Sequence, residues 1–173
     1  MNNYQKLIIF IAILILGFGT AILYLSWPLL TGKTYILSTT PVDPFDIFKG
    51  QYITIRYEIS QIPDTVLSQE AVGKSAYVLL EKDESGISHS EEILLVKPQE
   101  KDFIKGKITN IYGNTAQIEY GIEQFFFERG ATFSMQNLTV EVKVDSSGQA
   151  RISKLLQNGK PVEMKYRKIG LTS

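Results

Sequence analysis

The chain has 173 residues, with 18 basic and 18 acidic side chains, one histidine and no cysteine. Balanced charge without a long run of either sign gives nucleic acid no electrostatic foothold, so no nucleic-acid partner is expected. The absence of cysteine excludes disulfides and thiolate metal sites.

The first predicted element is a membrane helix. No residue between Lys6 and Lys33 is charged, and Leu7 to Leu30 reads LIIFIAILILGFGTAILYLSWPLL. At ~1.5 Å per residue this run reaches about 36 Å as a helix, enough to cross a hydrocarbon core of ~30 Å. A core helix of a globular domain rarely stays apolar on every face for that long. The expected organisation is a cytoplasmic tail at 1–6, one transmembrane helix at 7–30 and an extracytoplasmic β-rich domain at 34–173. Orientation rests on Lys6 and the amino terminus before the run, against Lys33 with Asp43 and Asp46 after it. A cleaved signal peptide competes, because Gly19-Thr20-Ala21 supplies small residues. Ile22 to Leu25 continue the apolar run past that point, which favours an uncleaved anchor. Tyr24 and Trp27 suit the outer head-group level. Pro28, lacking an amide donor, is expected to end or bend the helix.

Thr34 to Pro44 reads as a short extended approach, since Pro41 and Pro44 disfavour helix in the residues before them. Gly50 then opens QYITIRYEIS. Here Ile53, Ile55, Tyr57 and Ile59 alternate with Thr54, Arg56, Glu58 and Ser60, the pattern of one half-buried strand. Pro63 to Lys74 suits a loop or one short helix. Three hairpins follow: Ala76–Glu81 with Glu92–Val96 around Asp83-Glu84-Ser85-Gly86, Phe103–Ile111 with Thr115–Tyr120 around Tyr112-Gly113-Asn114, and Leu138–Val144 with Ala150–Leu156 around Asp145-Ser146-Ser147-Gly148. A further turn at Gln157–Pro161 precedes a last strand near Val162 to Tyr166. Strand after strand with short turns predicts an all-β domain, a sandwich or partly open barrel of antiparallel strands, preceded by the one N-terminal transmembrane helix.

Thr40-Pro41-Val42-Asp43-Pro44 followed by Gly50-Gln51-Tyr52-Ile53-Thr54-Ile55-Arg56-Tyr57 resembles the GDYXXLXY protein family. Gln51 stands where the family name has Asp, and Ile55 where it has Leu. Phe103-Ile104-Lys105-Gly106-Lys107 is similar to the family's basic-Gly-basic strand. Tyr120-Gly121-Ile122-Glu123-Gln124-Phe125-Phe126-Phe127-Glu128 resembles its Tyr-Gly-Ile-Glu…Phe segment, and the resemblance covers nearly all of 36–162. It implies a bacterial membrane-anchored β-rich domain and no particular activity. Some relatives carry a similar domain beside multi-pass membrane segments, which points by analogy to a multi-pass membrane protein as partner.

The candidate site residues are those of the motifs: Asp43, Pro44, Gly50, Tyr52, Arg56, Tyr57, Gly121, Glu123 and Phe126. Asp43, Pro44 and Gly50 read first as turn chemistry; Asp43 with Asp46 is a poor cation site for want of a third ligand. Tyr52, Thr54 and Arg56 share one strand face and Tyr57 lies on the other. Arg56 either pairs with Glu123 or Glu58, or lines a groove with Tyr52 for a peptide, glycan or lipid head group. Phe125 and Phe127 point one way and Phe126 the other, so Phe126 lies within a doubly buried strand or marks a contact surface.

Catalytic patterns find little material. His89 stands alone and reads as a surface residue, which leaves a histidine zinc site or a Ser-His-Asp triad without ligands or base. Ser-x-x-Lys, Lys-Thr-Gly and Gly-x-Ser-x-Gly are absent. No catalytic residue, metal or cofactor is assigned. The expected function is a non-catalytic binding or accessory module, tethered to the cell membrane and serving an integral membrane or envelope partner. The alternative is a carboxylate-dependent hydrolase of cell-wall glycan or peptide, which would need Asp43, Asp46, Glu58 and Glu123 to converge in one cleft.

Overall fold

The structure, a computed structural model, describes residues 2–40, 52–63, 67–128, 131–132 and 136–166. Helix α1 spans Asn3–Thr31 and is long and apolar enough to cross a membrane. The Gln5 side chain accepts the Asn2 backbone N–H at 3.0 Å, and Asn2 Oδ1 accepts the Asn3 N–H at 2.8 Å, so otherwise orphaned amides at the helix start are satisfied. Of the two outcomes expected for Pro28, an end or a bend, the first is not met, since the helix runs on to Thr31. The proline ring removes one donor, but the Gly32 N–H closes the last turn onto the Pro28 carbonyl at 2.9 Å.

Gly32 is the single residue between the helix and strand β1, Lys33–Thr40. What reads in sequence as an extended approach is thus a strand at the middle of the main sheet. β1 pairs antiparallel with β11 (Leu138–Val144), with Lys33 opposite Val144, and parallel with β6 (Ile87–Leu94), with Ile36 opposite Ile87. The junction is tied from both sides. Lys143 donates to the Leu29 carbonyl at 3.0 Å, and Gly32 lies so close to the Val144 backbone that a Cβ would approach its nitrogen to 2.9 Å. Lys33 meets Asp102 at 2.6 Å.

The sequence from Tyr52 does not form one strand. It breaks into β2 (Tyr52–Thr54), β3 (Arg56–Tyr57), one turn of 3-10 helix (Glu58–Ser60) and β4 (Gln61–Pro63). The inward alternation survives the break, because Ile53, Ile55, Tyr57, Ile59 and Ile62 are all buried. The ladder is interrupted where the Ile55 N–H turns aside to the Glu123 carbonyl at 2.7 Å. β3 pairs with β1 at Thr39 and Thr40, while β4 pairs with β8 (Thr115–Glu119) at the far edge of the sheet. Among the described residues between Pro63 and Lys74 there is one 3-10 turn, at Gln69–Ala71.

The three expected hairpins are present: β5 (Ser75–Lys82) with β6, β7 (Phe103–Tyr112) with β8, and β11 with β12 (Ala150–Gln157). The expected last strand is instead two short pieces, β13 (Lys160–Pro161) and β14 (Lys165–Tyr166). β9 (Gln124–Phe126) pairs with β2, and β10 (Ala131–Thr132) with β14. Among the described residues the main sheet runs β13-β12-β11-β1-β6-β5-β7-β8-β4, with β3 joined to β1 off that path. The class is all-β behind one apolar helix, with an open sheet rather than a closed barrel. β11 shows how the core is built: Leu138, Val140, Val142 and Val144 turn inward, and the residues between them are half-buried. They pack with Leu37, Val78, Ile104, Ile108 and Ile118 into one cluster.

Candidate functional site

Two distinctive sequence segments, 52–59 and 120–126, meet in space and hold one another through their tyrosines. The buried Tyr57 hydroxyl donates to the Ile122 carbonyl at 2.7 Å. The buried Tyr120 hydroxyl donates back to the Ile59 carbonyl at 2.5 Å. Each phenol satisfies a backbone acceptor of the other segment that would otherwise be buried unpaired. Burial first, and the nearby Glu123 charge second, push both phenols well above their usual range, so they stay neutral donors. Gly121 at φ +77° lets the chain turn between Tyr120 and Ile122, a conformation disfavoured for other residues. Across that turn a Glu123 carboxylate oxygen accepts the Tyr120 N–H.

Arg56 and Glu123 are not brought together as a pair. Arg56 is exposed and makes no ion pair among the described residues, and the Glu123 carboxylate bonds within its own loop. Glu58 also has another partner: His89 Nδ1 lies 3.4 Å from it, with His89 Nε2 3.0 Å from Asp83. The lone histidine is therefore held between two carboxylates, chiefly by Asp83, which raises its pKa. A hairpin register placing Glu81 opposite His89 brings the nearby Asp83 within reach, a signal present in the sequence. Asp43, Asp46, Pro44 and Gly50 lie outside the described residues. No group of three or more His, Asp or Glu able to hold a metal occurs among the described residues.

What these motifs present to solvent is a small ribbon, β2 with β9. Its inner face is Ile53 and Phe125, packed on the core. Its outer face is Tyr52, Thr54, Gln124 and Phe126, all exposed. Tyr52 and Phe126 stand directly opposite each other, with ring centroids 5.6 Å apart and planes tilted by 48°. Phe126 is 68% exposed and Tyr52 43%, so the pair is an exposed aromatic surface rather than part of a doubly buried strand. Arg56 extends that exposed face by one alternation. Since β3 runs antiparallel to β1 with Arg56 opposite Thr40, the preceding β2 lies beyond the end of β1 that is farther from the helix.

Comparison with known proteins returns no match among curated proteins and none among solved structures. The family model described as GDYXXLXY protein matches residues 14–155, which takes in the helix from Leu14 onward, both tyrosine-linked segments, the first two hairpins and the third as far as Leu155. With most of its length so matched, the chain belongs to the GDYXXLXY family.

Proposed function

We propose that this protein is a membrane-tethered, non-catalytic accessory module of the bacterial cell envelope. Its amino terminus is cytoplasmic, its β-domain is extracytoplasmic, and the Tyr52–Phe126 face docks onto an integral membrane protein. One observation carries the reading. Two aromatic rings, exposed and facing each other across a short ribbon, stand beside a buried tyrosine network that links their two segments. Such rings bring large contact area at low conformational cost, and aromatic and Arg side chains are enriched where binding energy concentrates. Arg56, exposed beside them and without an ion pair among the described residues, adds a cation for a carboxylate or carbonyl on the partner. β1 extends about 26 Å at ~3.3 Å per residue, so a face beyond its far end suits a segment that rises well above the bilayer.

The test is site-specific photocrosslinking in native membranes. A photoreactive residue at Phe126 should give one discrete membrane-protein adduct, and the same residue at the exposed Lys160 should not. Matching adduct patterns at both positions, or none at Phe126, would remove the docking face.

A further inference from the structure

The helix emerges beside a cavity. About 330 Å³ in volume, it is lined by Thr31, Lys33 and Tyr35 on one side, Glu100, Asp102 and Phe103 on a second, and the Asp145–Ser146 turn on a third. That volume is in the range of small-molecule sites, ~300–1,000 Å³. Its depth follows from helix length. A helix of 29 residues is about 44 Å long at ~1.5 Å per residue. It therefore exceeds the ~30 Å hydrocarbon core and matches the ~40–45 Å that includes both head-group layers. Thr31, the last helical residue, and Lys33, one residue beyond Gly32, accordingly stand at head-group level.

The charges around the cavity are mixed but unevenly compensated. Lys33 is committed to Asp102, and it holds that carboxyl below the usual range against the opposing effect of burial. Lys101 reaches Glu91, outside the lining, at 3.2 Å. Lys82 lies 5.1 Å from the Tyr35 ring centre and Lys97 5.8 Å from that of Phe103. The carboxylates of Glu100 and Asp145 have no ion-pair partner among the described residues. Asp145 is held in place by three turn donors to one of its oxygens. The lining thus offers two lysines that are each ion-paired but keep ammonium N–H donors for a phosphate to share, and two uncompensated carboxylates that favour an ammonium.

We infer that this cavity seats the zwitterionic head group of a phospholipid, with the ammonium at Glu100 and Asp145 and the phosphate toward Lys33 and Lys101. The inference rests on α1 spanning a bilayer and is independent of the Tyr52–Phe126 face. A seated lipid would fix the height and rotation of the domain, because Gly32 leaves no flexible linker between helix and sheet.

The experiment uses the full chain in nanodiscs of equal phosphatidylethanolamine and phosphatidylglycerol, with retained lipid counted by native mass spectrometry after release. The expected result is phosphatidylethanolamine retained over phosphatidylglycerol by at least ~5-fold. Glu100→Gln, at an exposed position, should cut that preference by at least ~3-fold, and Ser146→Trp, which fills the cavity, should abolish retention. Phe126→Ser, at the docking face, should change neither. Equal retention of the two lipids, or wild-type preference in Glu100→Gln, overturns the inference even if Ser146→Trp fails to fold. Displacement of the retained lipid by millimolar free phosphoethanolamine would identify a soluble ligand and overturn the lipid assignment. Capture of a neighbouring protein's basic side chain in the cavity would do the same.

Discussion

Two turns of this protein have the same chemistry and different surroundings. In Asp83–Gly86, Asp83 Oδ1 accepts from the Ser85 N–H at 2.8 Å, the Ser85 hydroxyl at 2.7 Å and the Ile87 N–H at 2.9 Å. In Asp145–Gly148, Asp145 Oδ1 accepts from the Ser147 N–H at 2.8 Å, the Ser147 hydroxyl at 2.7 Å and the Gln149 N–H at 3.0 Å. The closing glycines are alike too, Gly86 at φ +82° and Gly148 at φ +85°. Beyond the turn the likeness stops. A Cβ on Gly86 would meet open space, whereas one on Gly148 would come within 2.6 Å of the Phe103 ring and 3.0 Å of the Lys105 nitrogen. The Gly148 carbonyl also accepts the Lys105 N–H at 2.9 Å, so this turn is clasped by β7. Local sequence sets the shape of a turn, and its contacts decide how much of the domain depends on it.

The comparison breaks most visibly at the glycines. Gly148→Ala should destabilise the domain by about 2–5 kcal/mol, from a left-handed penalty of ~1–2 and overpacking of ~1–3. The readout is urea unfolding of the full chain in detergent. Gly86→Ala carries the left-handed penalty alone and should cost about 1–2 kcal/mol. Equal losses for the two variants would mean that β7 yields freely and that the clasp carries no stability.

The smallest effect sharpens the contrast from the other side. Asp83 alone also holds a histidine, and its carboxyl lies well below the usual range, first through the Ser85 hydroxyl and then through His89. Because the folded pKa of His89 is raised, its contribution is complete below the unfolded value of about 6.5 and is lost as pH rises through the folded value. With the imidazole 39% exposed, screening limits the gain to within ~0.5 kcal/mol. His89→Gln should therefore lower the melting temperature slightly at pH 6 and leave it unchanged at pH 9. A loss of the same size at both pH values would show that His89 acts by packing rather than charge.

Much of the architecture can be read from residues alone, and the pattern of success has a physical cause. The hairpins are legible because each is local: two apolar-rich arms joined by a short turn that contains glycine. Two readings that fail involve distant partners. Nothing near Thr34 marks it as belonging to a strand between β11 and a parallel β6, since alternation reports burial and not pairing. The alternation does mark Ile53, Ile55, Tyr57 and Ile59 as the inward set. Their division among β2, β3 and a 3-10 turn depends on the Glu123 carbonyl, far along the chain. At the candidate site, Phe126 was recognisable as the odd member of three aromatics, but its partnership with Tyr52 requires the β2–β9 register. The junction cavity left no trace because its lining is collected from three separated segments of ordinary polar residues.

The attachment of β1 to the helix through one residue has a consequence for biosynthesis. The hydrogen bond from Lys143 to Leu29 joins positions 114 residues apart. The strand that follows the helix is made early, yet its antiparallel partner β11 is among the last to be synthesised. Closing so long a loop costs entropy before any contact repays it, and such non-local pairing folds slowly. Through that interval β1 is an open edge fixed close to the end of α1, able to pair with any exposed strand nearby. The point of firmest attachment in the finished protein is therefore the last to be secured, and the nascent chain is most exposed to wrong pairing where it meets the helix.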